Sequence, residues 1–220
     1  MGVAVVTGAN RGIGLALVTL LRSRGATVIA VCRQTSPALE ALGARVASGI
    51  DVADPQAGPD LAARLGQDDI ELLVHNAGIG RFTSLESTTP EDVSSQFQVN
   101  AVAPLFLTRA LLPRLQSGAK VALVSSRMGS IGDNGSGGYY GYRMSKAALN
   151  AAGVSLAHDL KPQGIAVVIL HPGAVRTEMT GGEGALDPDE SAAGLLQRID
   201  ELKIETTGRF LHENGTALPW

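Results

Sequence analysis

The stretch Val3-Ala4-Val5-Val6-Thr7-Gly8-Ala9-Asn10-Arg11-Gly12-Ile13-Gly14 decides the fold. Four apolar residues in succession, without alternation, read as a strand buried on both faces. A glycine-bearing loop follows, and an amphipathic helical pattern then runs over residues 13–24. Glycines in such a loop permit a tight turn and let the backbone approach a pyrophosphate, which then sits at the positive end of the helix. Three glycines alone equally fit a turn that binds nothing. The strand-loop-helix context at the first crossover favours a dinucleotide.

The same alternation continues outward from this unit. Short apolar runs recur at residues 27–32, 44–50, 70–75, 120–124 and 166–171, with helix-length amphipathic stretches such as 91–115 and 147–160 between them. Two helix starts are marked. Thr89-Pro90-Glu91-Asp92 offers a cap, a proline at the first helical position and early acids, and Asp187-Pro188-Asp189-Glu190 has the form of a capping box. Strands that read as buried and alternate with helices predict one α/β domain over residues 1–220. Its sheet is expected to be parallel and doubly wound, with right-handed crossovers and helices on both faces. No linker or repeat divides the chain. The loosest segment is 129–138, with five glycines in ten residues.

Composition narrows the function classes. The 220 residues are 45% hydrophobic and 18% charged, as in an ordinary globular protein, and the net charge of −3 gives no reason to expect nucleic acid. Cys32 is the only cysteine, so no intramolecular disulfide can form. The chain enters its first apolar run without a basic leader, and no apolar stretch is long enough for a bilayer. Met1-Gly2 has the start of a myristoylation signal, but Val6 stands where a serine or threonine is needed. A soluble cytoplasmic protein without membrane or nucleic-acid partners is expected.

The three tyrosines of the chain crowd into Tyr139-Tyr140-Gly141-Tyr142-Arg143-Met144-Ser145-Lys146. Only Tyr142 has a lysine four residues on, and positions i and i+4 share one helix face. A phenol beside an ammonium in a partly desolvated cleft is suited to giving a proton to a developing alkoxide. Tyr139 and Tyr140 either line the same cleft or pack beside it. Ser125 and Ser126 end the fifth apolar run, where strand ends of an open α/β sheet face the ligand crevice.

The spacing Gly8-x-x-x-Gly12-x-Gly14, with Asn76-Ala77-Gly78, Asn100, Ser126, Tyr142-x-x-x-Lys146, Pro172-Gly173 and Thr177, resembles the short-chain dehydrogenase/reductase family. The motifs occur in the family's order from residue 7 to residue 177. The glycine segment before the tyrosines and the closing Leu218-Pro219-Trp220 look most like its carbonyl-reductase branch, which contains C-factor-like proteins. The resemblance implies a Rossmann-type domain and an oxidoreductase. Ser126 then polarises the substrate carbonyl, Tyr142 donates the proton, and Lys146 lowers the phenol's pKa and holds the nicotinamide ribose. Asn100 either positions a water behind Lys146 or only shapes its helix. Gly8, Asn10, Arg11, Gly12, Ile13 and Gly14 are implied at the pyrophosphate. Asp51 and Val52 are implied at the adenine, Asn76, Ala77 and Gly78 along the adenosine, and Pro172, Gly173, Val175 and Thr177 at the nicotinamide.

Where an acid at the end of the second strand would accept from the ribose hydroxyls, this chain has Cys32 followed by Arg33. With Arg11, that selects NADP(H), two guanidiniums holding the 2′-phosphate, unless both are merely solvated charges. No residue is assigned to a metal. The expected substrate is a small-molecule ketone or aldehyde. Only residues 178–186 separate Thr177 from the next helix, so an open, weakly selective site is expected. A cofactor-binding regulatory or signalling protein with little turnover is the alternative, and a homo-oligomer paired through the helices around the fifth strand is expected.

Overall fold

The structure, a computed structural model, describes residues 2–220. Strands β1 (Val3–Thr7), β2 (Val28–Val31), β3 (Arg45–Ala47), β4 (Ile70–His75), β5 (Leu115–Val124), β6 (Ala166–His171) and β7 (Arg209–His212) form one sheet. Its order is β3-β2-β1-β4-β5-β6-β7 and every pairing is parallel. Helices α1 (Gly12–Ser23), α2 (Pro37–Glu40), α3 (Ala57–Leu65), α4 (Pro90–Phe97), α5 (Ala103–Leu111), α6 (Tyr140–Leu160) and α7 (Pro188–Glu201) connect the strands. This is the parallel α/β arrangement that the alternation predicts, in the doubly wound Rossmann-type form that the resemblance implies.

All residues of β1 and β2 are buried, which explains why they read as unbroken valine-rich runs. The pleat sends successive side chains to opposite cores. Val3 and Val5 join Leu61 of α3, Leu107 and Leu111 of α5 and Leu149 of α6. Ala4 and Val6 join Leu17 of α1 and Leu195, Leu196 and Ile199 of α7 on the other face. Both marked helix starts form as read. The Thr89 hydroxyl accepts from Asp92 N at 3.1 Å, and Asp187 N donates to Glu190 at 2.8 Å.

Several boundaries differ. The stretch 91–115 is not one helix: a π-helical segment, Gln98–Val102, separates α4 from α5, and β5 already begins at Leu115. The run at 44–50 yields a strand of only three residues. Helix α6 starts at Tyr140, seven residues before the periodic stretch, so Tyr142 and Lys146 are both helical. Strand β7 was not foreseen: it is a four-residue edge strand with Phe210 its only fully buried side chain, too short to show a pattern. Among the described residues no helix is long and apolar enough to cross a membrane.

Strand order reverses at β1, which has β2 on one side and β4 on the other. At such a switch point the loops leaving the two strands diverge, and a crevice opens at their C-terminal ends.

Candidate active site

The crevice is a cleft of about 930 Å³, lined from the β1 loop (Gly8, Asn10, Arg11, Gly12, Ile13) to Tyr142 and Lys146 on α6. Thr7, which the sequence reading left without a role, ties its two walls together. Its buried hydroxyl accepts from Asn76 N at 3.0 Å and Ala77 N at 3.1 Å. Asn76 Nδ2 donates back to Thr7 O and Gly8 O, at 3.0 and 3.1 Å. Asn76 therefore braces the glycine loop as well as lining the cleft. Gly8 has φ of 66°, and a Cβ there would lie 2.8 Å from the Ala77 backbone. A Cβ on Gly14 would lie 2.1 Å from Gly8 O. Only glycine lets these backbones approach so closely.

Cys32, Arg33, Asp51 and Val52 line the end of the cleft beyond β2. Arg33 is exposed, with its guanidinium 3.9 Å from the Asp51 carboxylate. Arg11 reaches across the cleft mouth and pairs with Glu178, both largely exposed. Both arginines line the cleft, and the neighbouring groups suit a dinucleotide: backbone at the loop, Arg33 beyond β2 and a buried lysine at the far end.

At that far end, Tyr142 and Lys146 are both buried. The Tyr142 hydroxyl has Ser126 beside it, a neighbour that favours the phenolate, and Ser126 Oγ accepts from Met128 N at 3.1 Å. Ser125 also lines the cleft, but its hydroxyl is engaged in donating to Asn150 Oδ1 at 2.6 Å, and Ser126 is the serine beside the tyrosine. Lys146 Nζ donates to Val124 O at 2.8 Å and lies 5.8 Å from the Tyr142 ring centroid. Burial pushes the lysine down to about 8. Burial also pushes the phenol up to about 12, against the opposing influence of Ser126. The lowering of the phenol expected from the lysine is not found here, because desolvation dominates and the ammonium is directed to the strand-end carbonyl.

Asn100 lies in the π-helical segment and is fully buried. Its Nδ2 donates to Ile79 O at 2.8 Å and to Ser145 Oγ at 3.0 Å, and its Oδ1 accepts from Ile79 N at 2.9 Å. Both amide hydrogens are taken, so only acceptor capacity remains for a water. A Cβ on Gly78 would fall 3.2 Å from Asn100 Oδ1 and 3.7 Å from Lys146 Nζ, so glycine keeps open the space between them.

Pro172 and Thr177 also border the cleft, Thr177 against Gly12 of the β1 loop. Gly173 has φ of 84°, and Val175 bridges to Leu186, which turns the chain back toward α7. Between Thr177 and the Asp187 cap there is a single 3₁₀ turn, Glu178–Thr180, and no lid helix. The sequence reading also missed Gly80 and Met179 in the lining. Gly80 in a loop and Met179 in that single 3₁₀ turn belong to no motif, so they carry no signal that spacing would reveal.

Residues 2–186 match the family of short chain dehydrogenases. The chain belongs to that family. It is 41% identical over 226 residues to 1-hydroxy-2-glutathionyl-2-methyl-3-butene dehydrogenase of Rhodococcus sp. (strain AD45), covering 100% of both chains. It is 46% identical over 154 residues to the C-signal of Myxococcus xanthus, covering 69% of this chain and 93% of that one. Among solved structures, the NADPH-bound carbonyl reductase from chicken fatty liver superposes with a TM-score of 0.89 at 32% identity, covering 100% of this chain and 99% of the other.

Proposed function

We propose that the protein is an NADPH-dependent reductase that converts a ketone or aldehyde to an alcohol. The observation that carries this reading is the buried Tyr142, with Ser126 beside its hydroxyl and Lys146 one helical turn on, in a cleft that begins at the glycine loop. The NADPH-bound structural neighbour supports the cofactor. NADPH held there would supply a hydride for the carbonyl carbon. The backbone of Gly8, Asn10, Gly12 and Ile13 would hold the pyrophosphate, and Arg11 and Arg33 the 2′-phosphate. Asp51 and Val52 would flank the adenine, with Asn76, Ala77 and Gly78 along the adenosine. Pro172, Gly173, Val175 and Thr177 would border the nicotinamide.

In this reading Ser126 orients the carbonyl oxygen by donating to it, and Tyr142 gives that oxygen its proton. A phenol near 12 is fully protonated at neutral pH but is a reluctant acid. Lys146, turned from Val124 O toward the phenol and the ribose hydroxyls, favours the phenolate and so eases the transfer. Asn100 holds the Ile79 loop against α6 and keeps an acceptor facing Lys146 for a water. The short 178–186 connection leaves the end remote from the carbonyl open. The glutathionyl group in the Rhodococcus relative's name is an appendage of the kind such an opening would accommodate. Leu105 and Phe106 on α5 and Met144 on α6 are exposed apolar side chains, which favours pairing of two copies through these helices.

Purified protein with NADPH and a panel of ketones and aldehydes, followed at the cofactor absorbance, tests the proposal: consumption must depend on the carbonyl. The C-signal match favours a second reading, a cofactor-binding signalling protein with little turnover. NADPH binding without consumption across the panel would select it.

A further inference from the structure

Tyr139 occupies an unusual place for a large residue. Among the described residues it alone, glycines aside, has a positive φ, 54°, with ψ of 40°. Gly137 and Gly138 before it share that left-handed conformation, which glycine adopts freely and a tyrosine only at a cost. Core packing does not explain the choice, because the side chain is 41% exposed. The conformation is held from both sides: Tyr139 N donates to Thr83 O at 3.1 Å, and Tyr139 O accepts from Arg143 N at 2.9 Å. Strain maintained in this way on an exposed side chain points to function.

The ring it places meets Phe82. Their centroids are 5.4 Å apart at 74°, and Phe82 makes a second edge-to-face contact, 5.3 Å at 71°, with Tyr142. Phe82 is itself 43% exposed. The tip of its ring and the Met179 thioether converge on Gly80, where an added Cβ would lie 3.0 Å from Phe82 Cζ and 3.3 Å from Met179 Sδ. Beside the ring of Tyr142, which lines the cleft, Phe82 and Tyr139 thus form an aromatic wall, one member of which is held in a left-handed backbone.

We propose that Phe82 and Tyr139 are specificity-determining residues, a pair of rings that selects carbonyl substrates bearing a planar aryl group directly on the carbonyl carbon. The inference rests on the reductase reading for its carbonyl but not for the binding of the aryl group. Edge-to-face and offset contacts reward a flat π-system, whereas a saturated ring of similar size gains apolar contact only. Selectivity belongs at this wall, and the remote end of the cleft stays permissive.

Acetophenone and methyl cyclohexyl ketone, matched in size, are compared by kcat/KM with NADPH and by saturation-transfer NMR in the presence of NADP⁺. The wild type should favour the aryl ketone on the order of tenfold in both. Phe82→Leu and Tyr139→Asn, the latter a residue that tolerates the left-handed conformation, should bring the ratio to within about twofold with NADPH affinity unchanged. Tyr139→Phe should restore it. A ratio near one in the wild type, or a ratio that both variants retain, overturns the proposal. If neither ketone is consumed but aryl-selective binding is present and lost in the variants, the ring pair stands and the reductase reading falls.

Discussion

Replacing Tyr142 by Phe removes one oxygen from a side chain that is otherwise retained. The ring keeps its edge contact with Phe82, and Ser126 Oγ keeps the Met128 N–H. The stability loss is therefore that of one neutral hydrogen bond, about 0.5–1.5 kcal/mol, or a fall of roughly 1–6 °C in Tm for a chain of this size. Lys146 is untouched and still able to turn from Val124 O to the ribose hydroxyls, so NADPH affinity should stay within about threefold of wild type. Loss of the proton donor costs about 10²–10⁴ in rate. Tyr139→Phe and Tyr140→Phe, at half-exposed positions with no lysine at helical spacing, should keep turnover within about an order of magnitude. Single-turnover NADPH oxidation, cofactor titration and thermal melts on the three variants separate these effects. A Tyr142→Phe enzyme that turns over at a rate near wild type would refute the assignment of the donor.

Arg33→Ala should weaken NADPH binding on the order of 10- to 100-fold while leaving NADH binding nearly unchanged, with Arg11→Ala acting in the same direction; equal losses for both cofactors in calorimetric titration would remove the phosphate role. Because Arg11 pairs with Glu178, Glu178→Gln should free the guanidinium and tighten NADPH binding within about fivefold. The Lys146 ammonium, pushed down to about 8, is charged below that pH and neutral above it, so NADPH affinity should fall as pH rises from 7 to 9 and Lys146→Met should flatten this profile; a flat wild-type profile would contradict the placement. Gly14→Ala, whose Cβ would meet Gly8 O at 2.1 Å, should cost about 1–3 kcal/mol in denaturant unfolding and disrupt NADPH binding. Unaltered stability there would show that the loop relaxes freely.

The interior of this fold was legible because burial on both faces leaves a strand only apolar choices, so β1, β2, β4 and β6 stand out as runs between helical stretches. Legibility failed where structure depends on a distant partner. Strand β7 exists because the free edge of β6 accepts it, and four residues cannot announce that by themselves. The π-helical segment at Gln98–Val102 arises where Asn100 hydrogen-bonds both the loop after β4 and Ser145 on α6, contacts 21 and 45 residues away. No periodicity in the stretch 91–115 encodes them.

The site divides along the same line. Glycines at 8 and 14 are readable because the constraint is local: one needs a positive φ and the other a backbone approach within its own loop. The spacing of Tyr142 and Lys146 likewise places both on one helix face. It cannot say where a four-carbon chain will point its charge. That is decided by the C-terminal end of β5, which presents Val124 O to the ammonium at 2.8 Å and Ser126 to the phenol. A shared helix face is therefore a necessary condition for coupling the two groups and not a sufficient one. In this arrangement burial raises the phenol to about 12 and lowers the lysine to about 8. The ammonium lies 5.8 Å from the Tyr142 ring centroid and bonds Val124 O instead, so the pH profile of cofactor binding reads the lysine and the Tyr142→Phe rate reads the phenol, each independently of the other.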